Sequence, residues 1–138
     1  MLKSRTVLAL VTVGLLASVA SAADLKFEVF KDKSGEFRWR LKDGDTELGN
    51  SGQGYTKKAD AMNGAERIQK DGADEKKVTF EVYEDNGKKF RWRAKVKNGN
   101  TIAASAKGYE KKEDAEAAVK LIKEKGAKAE IVEVKEEK

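Results

Sequence analysis

The stretch FRWR stands at Phe37–Arg40 and returns at Phe90–Arg93. Its neighbours return with it: GEFRWRLK at 35–42, KKFRWRAK at 88–95. An aromatic–arginine alternation has a period of two, the side-chain period of a β-strand. In the first copy the rings share their parity with Leu41; in the second, with Ala94 and Val96; the arginines take the other parity. The stretch therefore predicts a strand with one apolar face and one basic face, built twice.

The match extends in both directions. FEVFKD at 27–32 pairs with FEVYED at 80–85 and, after one inserted residue, SGQGYTKKADA at 51–61 pairs with SAKGYEKKEDA at 105–115. Ile68 answers to Ile122, and Gly72-Ala73 to Gly126-Ala127. Each unit reads as three strands and a helix. Leu25, Phe27 and Val29 share a parity in the first strand, as do Val78, Phe80 and Val82 in its copy. Ser34-Gly35, Asn86-Gly87, Asp43-Gly44 and Asn98-Gly99 supply the tight turns. The third strands end at Ser51 and Ser105.

In the helices, Ala61, Ala65 and Ile68 form one apolar stripe and Ala115, Val119 and Ile122 its copy. Thr56 reads as the first N-cap, and Asp60, Glu113 and Asp114 put negative charge near the positive helix starts. Gly72 and Gly126 read as C′ stops. Asn63-Gly64 weakens the first helix by roughly 0.5–1 kcal/mol per residue. The first helix runs on into Lys77–Tyr83, while the second is followed by Ile131–Val134 alone. The join is thus expected to close unit one and open unit two. The predicted fold class is α+β: two tandem βββα repeats, 23–76 and 77–138, forming one pseudo-symmetric domain with an antiparallel sheet and two helices packed on it.

The first 22 residues read separately. Lys3 and Arg5, an apolar run from Thr6 to Val19 and Ala20-Ser21-Ala22 are the three parts of a secretory signal peptide, with the mature chain starting at Ala23. The apolar run is too short for a bilayer, so no membrane span is expected after cleavage. The expected location is periplasmic or secreted. The mature chain keeps a mild excess of positive charge, concentrated after residue 74. It has no cysteine, histidine or proline. Stability must come from packing without disulfides, and the side chain best suited to acid–base work near neutral pH is missing.

Two candidate sites follow from the repeat. Arg38, Arg40, Arg91 and Arg93, with Tyr83 on the neighbouring strand, form a candidate binding face for an anionic polymer, since guanidinium forks suit phosphate, sulfate and carboxylate. The competing reading makes the motif structural: the rings at 37, 39, 90 and 92 fill the core, while the arginines stack on Phe30 and Tyr83 and pair with Glu28 and Glu81. The loops GQGYTKK and AKGYEKK place Gly54, Lys57, Gly108 and Lys111 at helix starts as a candidate anion loop, without the spacing of a Walker loop; the competing reading has Gly54 and Gly108 supply the turn into the helix, with Tyr55 and Tyr109 packing beneath. Asp43, Asp45 and Glu47 do not fit the calcium-loop pattern. Ser51 and Ser105 are matched hydroxyls with no histidine to activate them. No catalytic residue, cofactor or metal site is predicted.

The combined pattern resembles DUF1508, also known as the YegP-like or UPF0339 family. It is carried by FEVFKD–FRWRLK–SGQGY and FEVYED–FRWRAK–SAKGY, each followed by a helix. The resemblance covers about Lys26–Asp74 and Thr79–Val134 and implies paired βββα repeats. It brings no activity, cofactor or catalytic residue. The expectation is a non-enzymatic, exported binding or structural module of the cell envelope, with an unknown protein or an anionic polymer as partner. A monomer is expected, the tandem replacing a dimer; polyanion or nucleic-acid binding is the alternative, an enzyme the less favoured one.

Overall fold

Each FRWR segment is the middle strand of an antiparallel three-stranded ribbon. The first ribbon is β1 (Leu25–Lys31), β2 (Phe37–Asp43) and β3 (Thr46–Asn50), followed by α1 (Lys58–Asp71). The second is β4 (Val78–Glu84), β5 (Phe90–Val96) and β6 (Thr101–Ser105), followed by α2 (Lys112–Lys125), a 3-10 turn (Gly126–Lys128) and β7 (Glu130–Glu133). The computed structural model describes residues 25–135; the expected leader and its cleavage site lie outside them.

The register is the same in both copies. Glu28, Val29 and Phe30 stand opposite Arg40, Trp39 and Arg38; Glu81, Val82 and Tyr83 stand opposite Arg93, Trp92 and Arg91. Even an irregularity is repeated, with a register shift between Leu41 and Lys42 and again between Ala94 and Lys95. The ribbons join edge to edge where Gly49 and Asn50 of β3 oppose Ser105 and Ala104 of β6. One sheet of seven strands results, in the order β4-β5-β6-β3-β2-β1-β7.

Two features of this sheet differ from the expectation. It is mixed, because β7 lies parallel to β1, with Phe27 beside Ile131 and Val29 beside Glu133. A strand returning through a helical crossover can run parallel where a hairpin cannot. In addition, β4 does not close the first unit. Among the described residues it pairs only with β5, at the far edge of the sheet. The repeats are joined through β3–β6 and by the return of β7.

The core lies between the sheet and the helices. Trp39 and Trp92 are 1% exposed. Phe27 meets Trp39 edge-on at 5.5 Å, and Phe80 meets Trp92 at 5.7 Å. Ala61, Ala65 and Ile68 of α1 and Ala115, Ala118, Val119 and Ile122 of α2 are buried against the sheet. Small residues let the helices approach the large rings. Gly64 is one of them: an added Cβ would stand 2.9 Å from Trp39 Nε1. The residue that weakens α1 thus makes room for the indole. Both indole N–H groups are buried without a hydrogen-bond partner among the described residues. An unpaired donor costs about 1–3 kcal/mol, less than the roughly 4–6 kcal/mol from burying 150–250 Å² of ring.

The helix ends differ from the expected caps. Lys57 and Lys111 hold the N-cap positions with extended backbone and no side-chain cap, so Thr56 stands one residue too early. Gly72 and Gly126 are right-handed, both with φ −60°. No helix among the described residues is long and apolar enough to cross a membrane.

Candidate functional site

The arginines occupy the sheet face opposite the helices, because their strand parity is opposite to that of the buried tryptophans. Each has a carboxylate partner. Arg38 Nε donates to Asp32 Oδ2 at 2.7 Å and Arg40 Nε to Glu28 Oε1 at 2.8 Å. In the copy, Arg91 Nε donates to Asp85 Oδ2 at 2.6 Å and Arg93 Nε to Glu81 Oε1 at 2.8 Å. Arg40 lies over the Phe30 ring at 4.6 Å and Arg93 over the Tyr83 ring at 4.4 Å. The alternation thus builds matched stacks of carboxylate, guanidinium and ring.

These contacts shift the carboxylates. The Ser34 hydroxyl, and after it Arg38, hold Asp32 far below the usual carboxylate range. Arg91 and the Lys89 N–H lower Asp85, and Arg93 lowers Glu81. The two arginine pairs do not converge. β6 and β3 separate β5 from β2, so the pairs stand three strand spacings, about 14 Å, apart.

The loops before the helices are strand-like crossings. Tyr55 exchanges two backbone hydrogen bonds of 2.7 Å with Phe37; Tyr109 does the same with Phe90 at 2.8 and 2.7 Å. Gly54 and Gly108 permit this close approach and do not supply a turn. An added Cβ at Gly54 would stand 2.8 Å from Glu36 Cβ, and one at Gly108 2.5 Å from Lys89 Cβ. Lys57 and Lys111 are exposed at the helix starts. Asp60, and Glu113 with Asp114, share those first turns. The positive helix ends are therefore already provided with negative charge.

The matched serines are built into the core. Ser51 is 1% exposed, and its hydroxyl donates to the Gln53 carbonyl at 2.7 Å. The hydroxyl of Ser105 accepts the backbone N–H of Trp92 at 3.3 Å.

A further concavity was not singled out from the sequence. Where α1 and the loop before it face the β5–β6 turn, a cleft of about 720 Å³ opens. It is lined by Gln53, Tyr55, Arg67, Asn98, Asn100 and Thr101, among others, and by no acidic side chain. The Tyr55 hydroxyl accepts a hydrogen bond from Gln53 Nε2 at 3.3 Å, and partial burial pushes its pKa up, so it is a neutral donor. Arg67 Nε lies 3.4 Å from Asp71, which steadies the guanidinium from outside the cleft. Asn98 Oδ1 accepts the Asn100 N–H at 2.9 Å, and the Asn98 amide NH₂ has no hydrogen-bond partner among the described residues.

The pseudo-symmetric counterpart is a cleft of about 410 Å³ between α2 and the β2–β3 turn. There Leu121 stands in place of Arg67, Ala117 and Ala118 in place of Asn63 and Gly64, and Leu48 in place of Ile102. Thr46, Lys107, Tyr109 and Asp114 complete that lining, so the difference between the two equivalent clefts is specific: the α2 cleft holds an acidic side chain and no arginine, whereas the α1 cleft gathers Arg67, Tyr55, Gln53 and Asn98–Thr101 with no acid. The signal was present in the sequence as the positions where the aligned copies disagree.

Comparison with known proteins bears on the repeat directly. The family model described as "Domain of unknown function (DUF1508)" matches residues 32–78 and 85–133. A UPF0339 protein from the ptx operon 5′ region of Stutzerimonas stutzeri is 29% identical over 108 residues, covering 78% of this chain and 95% of that protein. A UPF0339 protein from Agrobacterium fabrum is 51% identical over 45 residues, 33% of this chain and 73% of its own length. The fold matches the solution structure of the Escherichia coli protein of unknown function yegP, with a TM-score of 0.70 at 23% identity, covering 81% of this chain and 94% of that one. It also matches a UPF0339 protein of Shewanella oneidensis, with a TM-score of 0.69 at 25% identity over 81% and 92% of the chains.

Proposed function

The chain belongs to the DUF1508 family, and from that premise we propose that it is a non-catalytic, exported binding module whose ligand carries a carboxylate. The observation that carries this reading is the asymmetry of the two equivalent clefts. The α2 cleft is lined by Asp114 along with Lys107 and Tyr109, and has Leu121 where the α1 cleft has Arg67. The cleft around Tyr55 and Arg67 presents a guanidinium, a phenol and an amide donor without an acidic side chain. Its volume lies within the roughly 300–1,000 Å³ usual for small-ligand sites. A guanidinium with a neighbouring neutral donor suits a carboxylate such as a peptide C-terminus.

The non-catalytic part is supported by the lack of histidine in the sequence and by the burial of Ser51, which borders the cleft but is 1% exposed with its hydroxyl donated to the Gln53 carbonyl, and of Ser105, whose hydroxyl accepts the backbone N–H of Trp92. A polyanion-binding sheet face is disfavoured because Glu28, Asp32, Glu81 and Asp85 put negative charge on that face and accept hydrogen bonds of 2.6–2.8 Å from the arginines, whereas Asp71 stands 3.4 Å from Arg67 and outside the cleft lining. Export rests on the leader-like first 22 residues.

The test is a two-dimensional NMR titration with acetyl-tetra-alanine carrying a free C-terminal carboxylate, and with its amidated form. The free acid should shift resonances of Tyr55, Arg67 and Asn98–Thr101; the amide, and Arg67→Gln with the free acid, should not. Shifts elsewhere, or none at millimolar peptide, would overturn the cleft as the site. For export, N-terminal sequencing from the native host should begin at or near Ala23. An intact Met1 in the membrane fraction would overturn cleavage.

A further inference from the structure

β1 and β4 are copies of one strand with different surroundings. The outer edge of β1 is covered by β7, and Val134 N–H donates to Val29 O at 2.9 Å. The outer edge of β4 pairs with no strand among the described residues. The cause lies in the chain order: the segment after α1 becomes β4 itself, while the segment after α2 is β7, which lies down on β1. Burial records the difference. Phe27 and Val29 are 0% and 2% exposed, whereas their copies Phe80 and Val82 are only half-buried.

The main-chain groups at this edge can be named. Asp85 N–H donates to Lys89 O, which makes that pair the first hydrogen-bonded rung. Because rungs alternate, Thr79, Glu81 and Tyr83 bond to β5, and the N–H and C=O groups of Phe80, Val82 and Glu84 point outward. Only its start is occupied: Val78 N–H donates to Asp74 O in the preceding turn, and Lys123 lies 5.7 Å from the Phe80 ring on the helix face. β4 runs for seven residues in unbroken register, while β7 at the opposite edge has four. A long, regular, unpaired edge is a template for another strand.

We infer that this edge pairs with β4 of a second copy of the chain, antiparallel about a two-fold axis through Phe80. Self-complementarity selects that occupant. With Phe80 opposite its own copy, Val78 meets Val82 on the helix face, where Val82 N–H can donate to Val78 O while Val78 N–H stays with Asp74 O. Lys76, in the turn just before β4 with its own N–H on Asp74 Oδ1, brings only its side chain toward Glu84 of the second copy. On the other face, Thr79 meets Glu81 and Lys77 meets Tyr83. Lys76 and Glu84 are both exposed. The next allowed register would oppose Glu81 to Glu81, which like charge disfavours. A single seven-residue edge buries less than the roughly 1,200–2,000 Å² of stable interfaces. The dimer is accordingly weak and concentration-dependent. The tandem repeat satisfies the β3–β6 junction and leaves this second surface open, so the monomer expected from the repeat pair does not extend to high concentration.

Sedimentation equilibrium of the full chain tests this. Glu84→Lys, which opposes Lys76 twice per dimer, should weaken association about tenfold. The swap Lys76→Glu with Glu84→Lys should restore it to within about threefold. Val82→Pro removes an N–H that faces outward and that β5 does not use, so it should abolish the dimer with the far-UV spectrum intact. A chain that stays monomeric up to about 1 mM would overturn the proposal, as would a dimer indifferent to Glu84→Lys or a swap that fails to restore.

Discussion

An added Cβ on Gly49 would stand 2.6 Å from the ring of Trp92 and 2.8 Å from the Ala104 carbonyl. The missing side chain at 49 is what lets the FRWR tryptophan of the second repeat lie over the last strand of the first. Gly49 also opposes Ser105 in the β3–β6 pairing, so the contact sits where the two ribbons become one sheet.

Gly49→Ala should therefore cost about 1–3 kcal/mol, the usual range for overpacking a filled core. Neither the ring nor the carbonyl can yield without moving the repeat junction. Urea denaturation measures it; an unchanged midpoint would show that the junction is soft.

The two parities of FRWR should behave differently. Trp39→Ala or Trp92→Ala removes a ring that is 1% exposed and should cost roughly 3–5 kcal/mol. Replacing Arg38, Arg40, Arg91 and Arg93 by Gln should cost far less, about 0–1 kcal/mol each, since the pairs are partly solvated. Thermal unfolding of the single and quadruple variants separates the two. An equally severe quadruple variant would mean that the carboxylate stacks, and not the rings, hold the sheet.

Lys88 has φ +66°, where the first repeat has Gly35 at +91°. The Gly35 N–H and the Lys88 N–H close the same turn, onto Asp32 O and Asp85 O, each at 3.0 Å. A side chain in the left-handed region costs about 1–2 kcal/mol, part of which Gly returns as unfolded-state entropy. Lys88→Gly should thus stabilise the protein by several tenths to about 1 kcal/mol, read as a higher urea midpoint. A lower midpoint would contradict the turn geometry.

Asp32, Asp85 and Glu81 all have lowered pKa values in the fold. The unfolded chain takes up their protons first, near pH 4, so their stabilising contribution is present above that pH. It is lost as pH falls toward the folded values. The melting temperature should hold near neutrality and fall below about pH 5. Arg38→Gln with Arg91→Gln should flatten that fall by removing a cause of two of the shifts. An unchanged slope would place the acid sensitivity elsewhere.

Much of this protein was determined by the sequence alone, because its signals are local and occur twice. The period of two in FRWRLK and FRWRAK assigned Trp39 and Trp92 to the core and the arginines to the opposite face, and Ala61, Ala65 and Ile68 marked the buried side of α1. A strand parity or a helix stripe needs only a few consecutive residues to declare itself. Tertiary structure decided what depends on distant residues. Gly54 and Gly108 read as turn-formers, but their reason is contact with Glu36 and Lys89 across the ribbon. β7 could have paired with either of two copied strands, and the route from α2 laid it parallel on β1. That choice left the outer edge of β4 without a strand partner among the described residues. The donor-lined cleft formed only where Arg67 of one repeat met Asn98 and Asn100 of the other. Pairing partners and concavities are set by which surfaces the chain can bring together at least cost, and no local period encodes that.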